Sequence, residues 1–190
     1  MNFYIADLHF GHQNIMSFDN RPFPDINTHD NVIIENWNNV VGIDDDVYVL
    51  GDISWHNSTK TIEIFKQLNG NKHLIIGNHD KKLLKNQKLR SLFVEIVDYK
   101  ELTADNGRGI VLCHYPIPCF NNHYYGWIHL YGHVHNSWEW EVMEDVKKQL
   151  VKASGENKPC RMYNVGCMLS YMGYAPRTLT EILNACEGCV

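Results

Sequence analysis

The sequence predicts an α/β fold, with two packed mixed β-sheets flanked by helices. Three observations predict it. Up to about Leu84, short apolar runs that read as buried strands alternate with amphipathic runs that read as helices. That alternation specifies parallel strands joined by right-handed crossovers. Beyond Leu84 strand-like runs dominate, at residues 94–97, 110–113 and 127–131, which is material for a second sheet. Finally, one apolar run after another ends in a carboxylate, an amide or an imidazole, at the strand ends where open α/β sheets place their ligands.

The elements follow in order. Residues 3–6 read as a first strand ending at Asp7. Asp7 and His9 are two apart, so in extended backbone they point the same way and can grip one ion. Gly11-His12 opens a short helical segment through Phe18, and Pro22 and Pro24 make residues 20–24 a loop. Thr28 is the expected N-cap of a helix through Val41 with Val32, Ile33, Trp37, Val40 and Val41 on its apolar face. After a turn at 42–46, residues 47–50 form a second strand, and Asp52 follows it. Ser58 or Thr59 caps a helix whose inner face is Ile62, Ile64, Phe65 and Leu68, closed by Asn69-Gly70.

A third strand, 73–76, leads into Gly77-Asn78-His79-Asp80. A glycine at a strand exit lets the backbone turn sharply and come close to a ligand. Residues 81–84 begin the next helix. Asn106-Gly107 marks a turn between strands 94–97 and 110–113. His114 follows the latter, and strand 127–131 ends at Gly132-His133-Val134-His135. Residues 139–152 are charged and show no clear period. A late strand at 161–165 precedes Thr178-Leu179-Thr180-Glu181, a capping box for a last helix to Cys186.

The 190 residues suit one domain, 1–190. A net charge of −5 argues against a general polyanion binder relying on lysine and arginine. It does not exclude phosphate substrates, because bound divalent ions can dominate the local charge. No apolar run approaches a membrane span, and the chain enters its first strand without a basic signal segment, so the expectation is a cytoplasmic protein with no membrane partner. The six cysteines then read as free thiols. Cys186 and Cys189 have metal-type spacing but no second pair nearby.

Asp7, His9, Asp52, Asn78, His114, His133 and His135 together offer carboxylate, imidazole and amide oxygen, a mixture suited to Mn, Fe or Zn. Seven ligands are too many for one ion with an open position and about right for two sharing a carboxylate. Two ions about 3.5–4 Å apart clamp a phosphorus–oxygen bond for hydrolysis, polarising its oxygens and acidifying a bridging water.

The set Asp7-x-His9, Gly51-Asp52, Gly77-Asn78-His79-Asp80, His114 and Gly132-His133-x-His135 resembles the calcineurin-like metallophosphoesterase superfamily, in family order. The local wording, such as Leu74-Ile75-Ile76-Gly77-Asn78-His79-Asp80, is similar to its small bacterial and phage branch. The resemblance implies a four-layer sandwich of two sheets between helices. It implies that Asp7, His9 and His135 hold one metal, that Asn78, His114 and His133 hold the other, and that Asp52 bridges them. It implies His79 as the general acid, with Asp80 orienting its imidazole. Two divalent ions follow as cofactors, with manganese the expected ion in vitro.

One departure is informative. The superfamily's protein serine/threonine phosphatases continue Gly-Asp with an arginine that helps hold phosphate. Here the run is Gly51-Asp52-Ile53-Ser54-Trp55-His56, which argues against a protein phosphatase. Arg21 and His56 are candidates for that phosphate contact. His12, His56 and Asn136 adjoin the motifs and serve either as substrate contacts or as support. His29, His73, His123 and His129 read as structural, and the aromatic residues 120–127 as core or rim, with base stacking as the alternative.

The expected activity is hydrolysis of a small or nucleotide-like phosphodiester. The alternatives are a phosphomonoesterase or nuclease on the same fold, and an inactive relative serving as an interaction module. Nucleic acid stays open as a partner, and nothing in the sequence indicates an oligomeric state.

Overall fold

The computed structural model describes residues 1–103, 107–155 and 158–188. Its elements run β1 (Asn2–Ile5), α1 (Ile15–Phe18), α2 (Ile26–Val40), β2 (Asp46–Leu50), α3 (Ser58–Phe65) and β3 (Asn71–Ile75). A 3-10 helix (Asp80–Lys85), α4 (Gln87–Arg90), β4 (Phe93–Val97), β5 (Tyr99–Thr103) and β6 (Gly109–Cys113) follow. Then come β7 (Ile128–Tyr131), α5 (Trp138–Ala153), β8 (Arg161–Asn164), β9 (Arg177–Thr178) and α6 (Leu179–Glu187).

The first sheet has the order β4-β3-β2-β1-β9, parallel except for β9. The second has the order β5-β6-β7-β8, with β6, β7 and β8 parallel and β5 antiparallel at the edge. Both sheets are mixed, and helices flank them. Strands covered on both faces read as unbroken apolar runs, which is why β2, β3 and β6 were legible.

The two sheets face each other across one core. Ile5, Val49 and Leu74 from the first sheet share it with Ile110, Leu112, Ile128 and Leu130 from the second. The alternate residues Val111, Tyr131 and Met162 point the other way and pack under α5 with Trp140 and Leu150.

Several sequence expectations move. The cap of α2 is Asp25, whose carboxylate accepts the Thr28 amide N–H at 2.9 Å, so the helix starts earlier than Thr28 implied. Val40 lies on its solvent side. Asn57 caps α3, one residue before Ser58. Strand β5 carried no signal because none of its residues is buried, as befits an edge strand with Lys100 and Glu101 in it. Gly107 thus lies between β5 and β6, while β4 belongs to the other sheet; Asn106, the other residue of the expected turn, lies outside the described residues. Residues 139–152 are helical within α5, which buries no residue fully and so shows no clean stripe. The capping box of Thr178 and Glu181 is present. Cys186 is a free thiol, and Cys189 lies outside the described residues.

Candidate metal centre

Five strand ends meet at one edge of the sandwich. Asp7 and His9 follow β1, Asp52 follows β2, and Asn78 and His79 follow β3. From the second sheet, His114 follows β6, and His133 and His135 follow β7. His135 Nε2 lies 3.2 Å from His9 Nε2 and 3.8 Å from Asp7 Oδ1. Asp52 Oδ2 lies 3.7 Å from His114 Nε2 and 3.9 Å from His9 Nε2. Asn78 Oδ1 sits 2.9 Å from His114 Nε2 and 3.1 Å from His133 Nδ1. Two clusters, Asp7/His9/His135 and Asp7/Asp52/His114, bring their donor atoms within 4.8 Å of one another. His9, Asp52, Asn78, His133 and His135 line one cleft of ≈ 510 Å³ together with His12 and His79, and the buried Asp7 and His114 join them through their contacts to His135 and Asp52.

The backbone is forced to put them there. Asp7 (φ 57°), His9 (φ 52°), Asp52 (φ 53°), His133 (φ 71°) and His135 (φ 50°) all adopt left-handed conformations. Non-glycine residues rarely do so, and such strain of about 1–3 kcal/mol each persists where surrounding structure over-determines it. Here cross-loop bonds over-determine it: Asp7 N–H donates to Gly51 O at 3.1 Å and His9 N–H to Asp52 O at 3.0 Å. The His133 N–H donates to the Asp7 carboxylate at 3.0 Å. Gly51 and Gly77 let the β2 and β3 exits touch, since a Cβ on Gly77 would stand 2.3 Å from Asp52 Oδ1.

Hydrogen bonds from the far ring nitrogens set how two of these histidines face the cleft. His114 Nδ1 donates to the Leu50 carbonyl at 2.8 Å and leaves its Nε2 facing Asn78 Oδ1 at 2.9 Å. His135 Nδ1 donates to Asp19 Oδ1 at 2.8 Å, and its Nε2 faces His9 Nε2 at 3.2 Å. Outer hydrogen bonds of this kind fix the ring orientation of metal-ligating histidines.

Electrostatics point the same way. Burial pushes the Asp7 carboxyl above its usual range, against the pull of His135 and His114. Burial, with His135 and Arg21 adding to it, holds His9 well below the usual imidazole value. For His135 burial pushes down, but Asp7 and Asp19 outweigh it and raise the ring. A buried carboxylate that resists ionisation beside an imidazole that resists protonation is a pair that gains from a metal cation.

The neighbours of the ligands are less as expected. His79 is exposed; its backbone N–H donates to Asp52 Oδ1 at 3.0 Å, and its ring leans on Trp55 at 4.4 Å between centroids. Asp80 does not face that ring. It is buried, and its oxygens accept the backbone N–H groups of Gly77 (2.8 Å), Ile53 (2.9 Å) and Asp52 (3.0 Å), so it buttresses two loops instead of orienting an imidazole. Arg21 also leaves the substrate side. At 4% exposure, its guanidinium is spent on Asp19, His29 and the carbonyls of Asp7 and Leu8, behind the cleft. A phosphate in the cleft cannot reach it.

His12 lines the cleft, its Nδ1 3.1 Å from His9 Nδ1. His56 is held by Asp30 at 2.8 Å and lines an adjoining cavity with His79. Asn136 donates to the Asp19 carbonyl at 3.2 Å, a supporting bond. The four histidines read as structural hold framework bonds, for example His73 between Asp46 and Glu95.

Two residues went unnoticed in the sequence. Trp55 stacks on His12 (4.1 Å, 2°) and His9 (4.5 Å) as well as carrying His79, so three imidazoles surround one indole. Its signal was an aromatic three residues after Asp52. Asp19 orients His135 from 116 residues away, and no local pattern announces that.

Comparison with known proteins agrees with this geometry. Residues 3–162 match the family model of the calcineurin-like phosphoesterases, and the chain belongs to that family. An uncharacterised protein of Methanocaldococcus jannaschii is 37% identical over 135 residues, 70% of this chain and 68% of that protein. The gene 66 protein of mycobacterium phage L5 is 39% identical over 80 residues, 40% of this chain and 38% of its own length. A crystal structure of a protein of unknown function from Aquifex aeolicus superposes with a TM-score of 0.68 at 26% identity, covering 97% of this chain and 98% of that one. Among the described residues no helix is long and apolar enough to cross a membrane.

Proposed function

We propose that the protein is a dinuclear-metal phosphodiesterase acting on small or nucleotide-like diesters. The observation that carries this reading is the gathering of Asn78, His114 and His133 on one side and of Asp7, His9 and His135 on the other, with Asp52 Oδ2 3.7 Å from His114 Nε2 and 3.9 Å from His9 Nε2. Asp7, His9 and His135 would hold one divalent ion, Asn78, His114 and His133 the second, and Asp52 would bridge them. When bound, such a pair supplies the positive charge that polarises a phosphoryl group and makes a water nucleophilic near neutral pH.

The chain's own groups do the rest. Asp52 Oδ1 accepts the His79 amide and so anchors the residue whose imidazole would protonate the departing oxygen. Trp55 limits that ring to the cleft edge. His12 backs His9, and Asp19 holds the tautomer of His135. Among the described residues no arginine lines the cleft beside Asp52, and an open cleft leaves room for the second ester arm of a diester.

The test is turnover of bis(p-nitrophenyl) phosphate by the full chain with added manganese, with metal content measured on the same sample. Turnover at two ions per chain is expected. Full activity with one ion or fewer, or none at any metal loading, would sink the reading.

A further inference from the structure

Residues 81–90 run against the charge of the rest of the chain. Lys81, Lys82, Lys85, Lys88 and Arg90 fall within ten residues that contain no acid, in a protein of net charge −5. All five are exposed. Lys60, Lys100, Lys147 and Lys148 each face a carboxylate, whereas among the described residues none of these five forms an ion pair. Helix C-termini favour a cation at Lys82, Lys85, Lys88 and Arg90, but that explains neither Lys81 nor the missing acids.

This basic ledge begins at the metal centre. Lys81 and Lys82 line a cavity of ≈ 700 Å³ with Asn78, His79 and Ser58. A second cavity of ≈ 600 Å³, lined by Thr59, Lys66 and Lys88, continues along the edge between α3 and α4. The acid beside it, Glu63, is 3.5 Å from Lys60.

We propose that the ledge binds the phosphate chain of a single-stranded oligonucleotide, on the leaving side of the scissile ester. Unpaired lysines in series select a polyanion. The cavity they share with His79 requires that polyanion to be continuous with the ester being cut. A phosphodiester strand meets both conditions; an acidic peptide or an anionic membrane surface meets only the first. The direction of the strand rests on the phosphodiesterase reading, while the affinity of the ledge does not.

The test is fluorescence anisotropy of a labelled thymidine strand of about twelve residues, within the range of single-strand site sizes, against the full chain without added metal at graded salt. The Lys81→Glu/Lys82→Glu variant should bind at least about tenfold more weakly, and its log–log salt slope should flatten by about 1.4, two contacts at about 0.7 each. Lys88→Glu/Arg90→Glu, at the far end of the ledge, should also weaken binding. Lys148→Glu/Lys152→Glu, the same charge change on α5, should not. Equal affinity in wild type and both double variants, or displacement of the strand by a glutamate polymer of equal charge as readily as by unlabelled strand, would overturn the proposal. Turnover of bis(p-nitrophenyl) phosphate without ledge-dependent strand binding would remove the ledge and keep the phosphodiesterase. Ledge-dependent strand binding without ester turnover at any metal loading would support the ledge and sink the enzymatic reading.

Discussion

Asp80 holds Asp52 from behind: its Oδ2 accepts the Asp52 backbone N–H at 3.0 Å, while Asp52 Oδ1 accepts the His79 N–H at 3.0 Å. The two carboxylates thus lock the β2 and β3 exits together, one through a buried set of amides and one at the floor of the cleft. Burial also pushes the Asp80 carboxyl above its usual range, against the bonds from Ile53 and Gly77.

Replacing Asp80 by alanine orphans three buried amides. An unsatisfied buried donor costs about 1–3 kcal/mol, so Asp80→Ala should lower the urea midpoint clearly and weaken metal retention. Asp80→Asn, which keeps one acceptor oxygen, should fall between. A variant of normal stability whose only defect matches that of a His79 variant would restore the orienting role the structure does not display.

Asp52→Asn should remove activity more thoroughly than His9→Ala. Asp52 stands 3.7 Å from His114 and 3.9 Å from His9, facing both groups of ligands. His9 belongs to one group, and added metal can compensate its loss in part. Metal titration of both variants decides: equal losses, fully restored by excess manganese, would contradict the bridge.

His79→Ala should keep near-normal metal content, because no candidate ligand atom contacts its ring. Turnover should fall by about 10²–10⁴-fold on alkyl or nucleoside diesters, where the leaving oxygen needs a proton. On activated aryl diesters the variant should be nearly competent. The measurement is the ratio of variant to wild-type rate across leaving groups of graded pKa. A flat ratio at full metal occupancy would take the acid role away from His79.

His129 gives a pH dependence remote from the metal centre. It is fully buried, its Nδ1 donates to the Val111 carbonyl while its Nε2 accepts the Ile117 N–H, and burial pushes its pKa down to about 4. Its unfolded value is about 6.5, so between these limits the unfolded chain binds the extra proton. Stability is therefore complete above about pH 6.5 and is lost progressively as pH falls toward 4, by on the order of 3 kcal/mol. The difference in unfolding free energy between wild type and His129→Leu should shrink as pH drops through that window. A difference constant with pH would show that His129 does not titrate on unfolding.

The sequence alone determined what is local. A donor usable at the end of a parallel strand sits just past it, so the convergence of Asp7, His9, Asp52, Asn78, His114, His133 and His135 could be read from residue type and the preceding apolar run. The capping box of Thr178 and Glu181 closes within four residues and was equally legible. Tertiary structure decided what depends on partners far along the chain. Asp80 stands beside His79 in sequence, but its carboxylate turns to amides up to 28 residues away, because buried N–H groups cost more to leave unpaired than an exposed ring. Arg21 resembled a phosphate clamp until the fold enclosed it with Asp19 and Cys167, the latter 146 residues distant. Strand β5 pairs only because β6 offers an open edge, and its own side chains bury nothing that could have announced it. Side-chain type sets which chemistry is available, whereas burial and pairing, which no single stretch encodes, set which group is free to perform it.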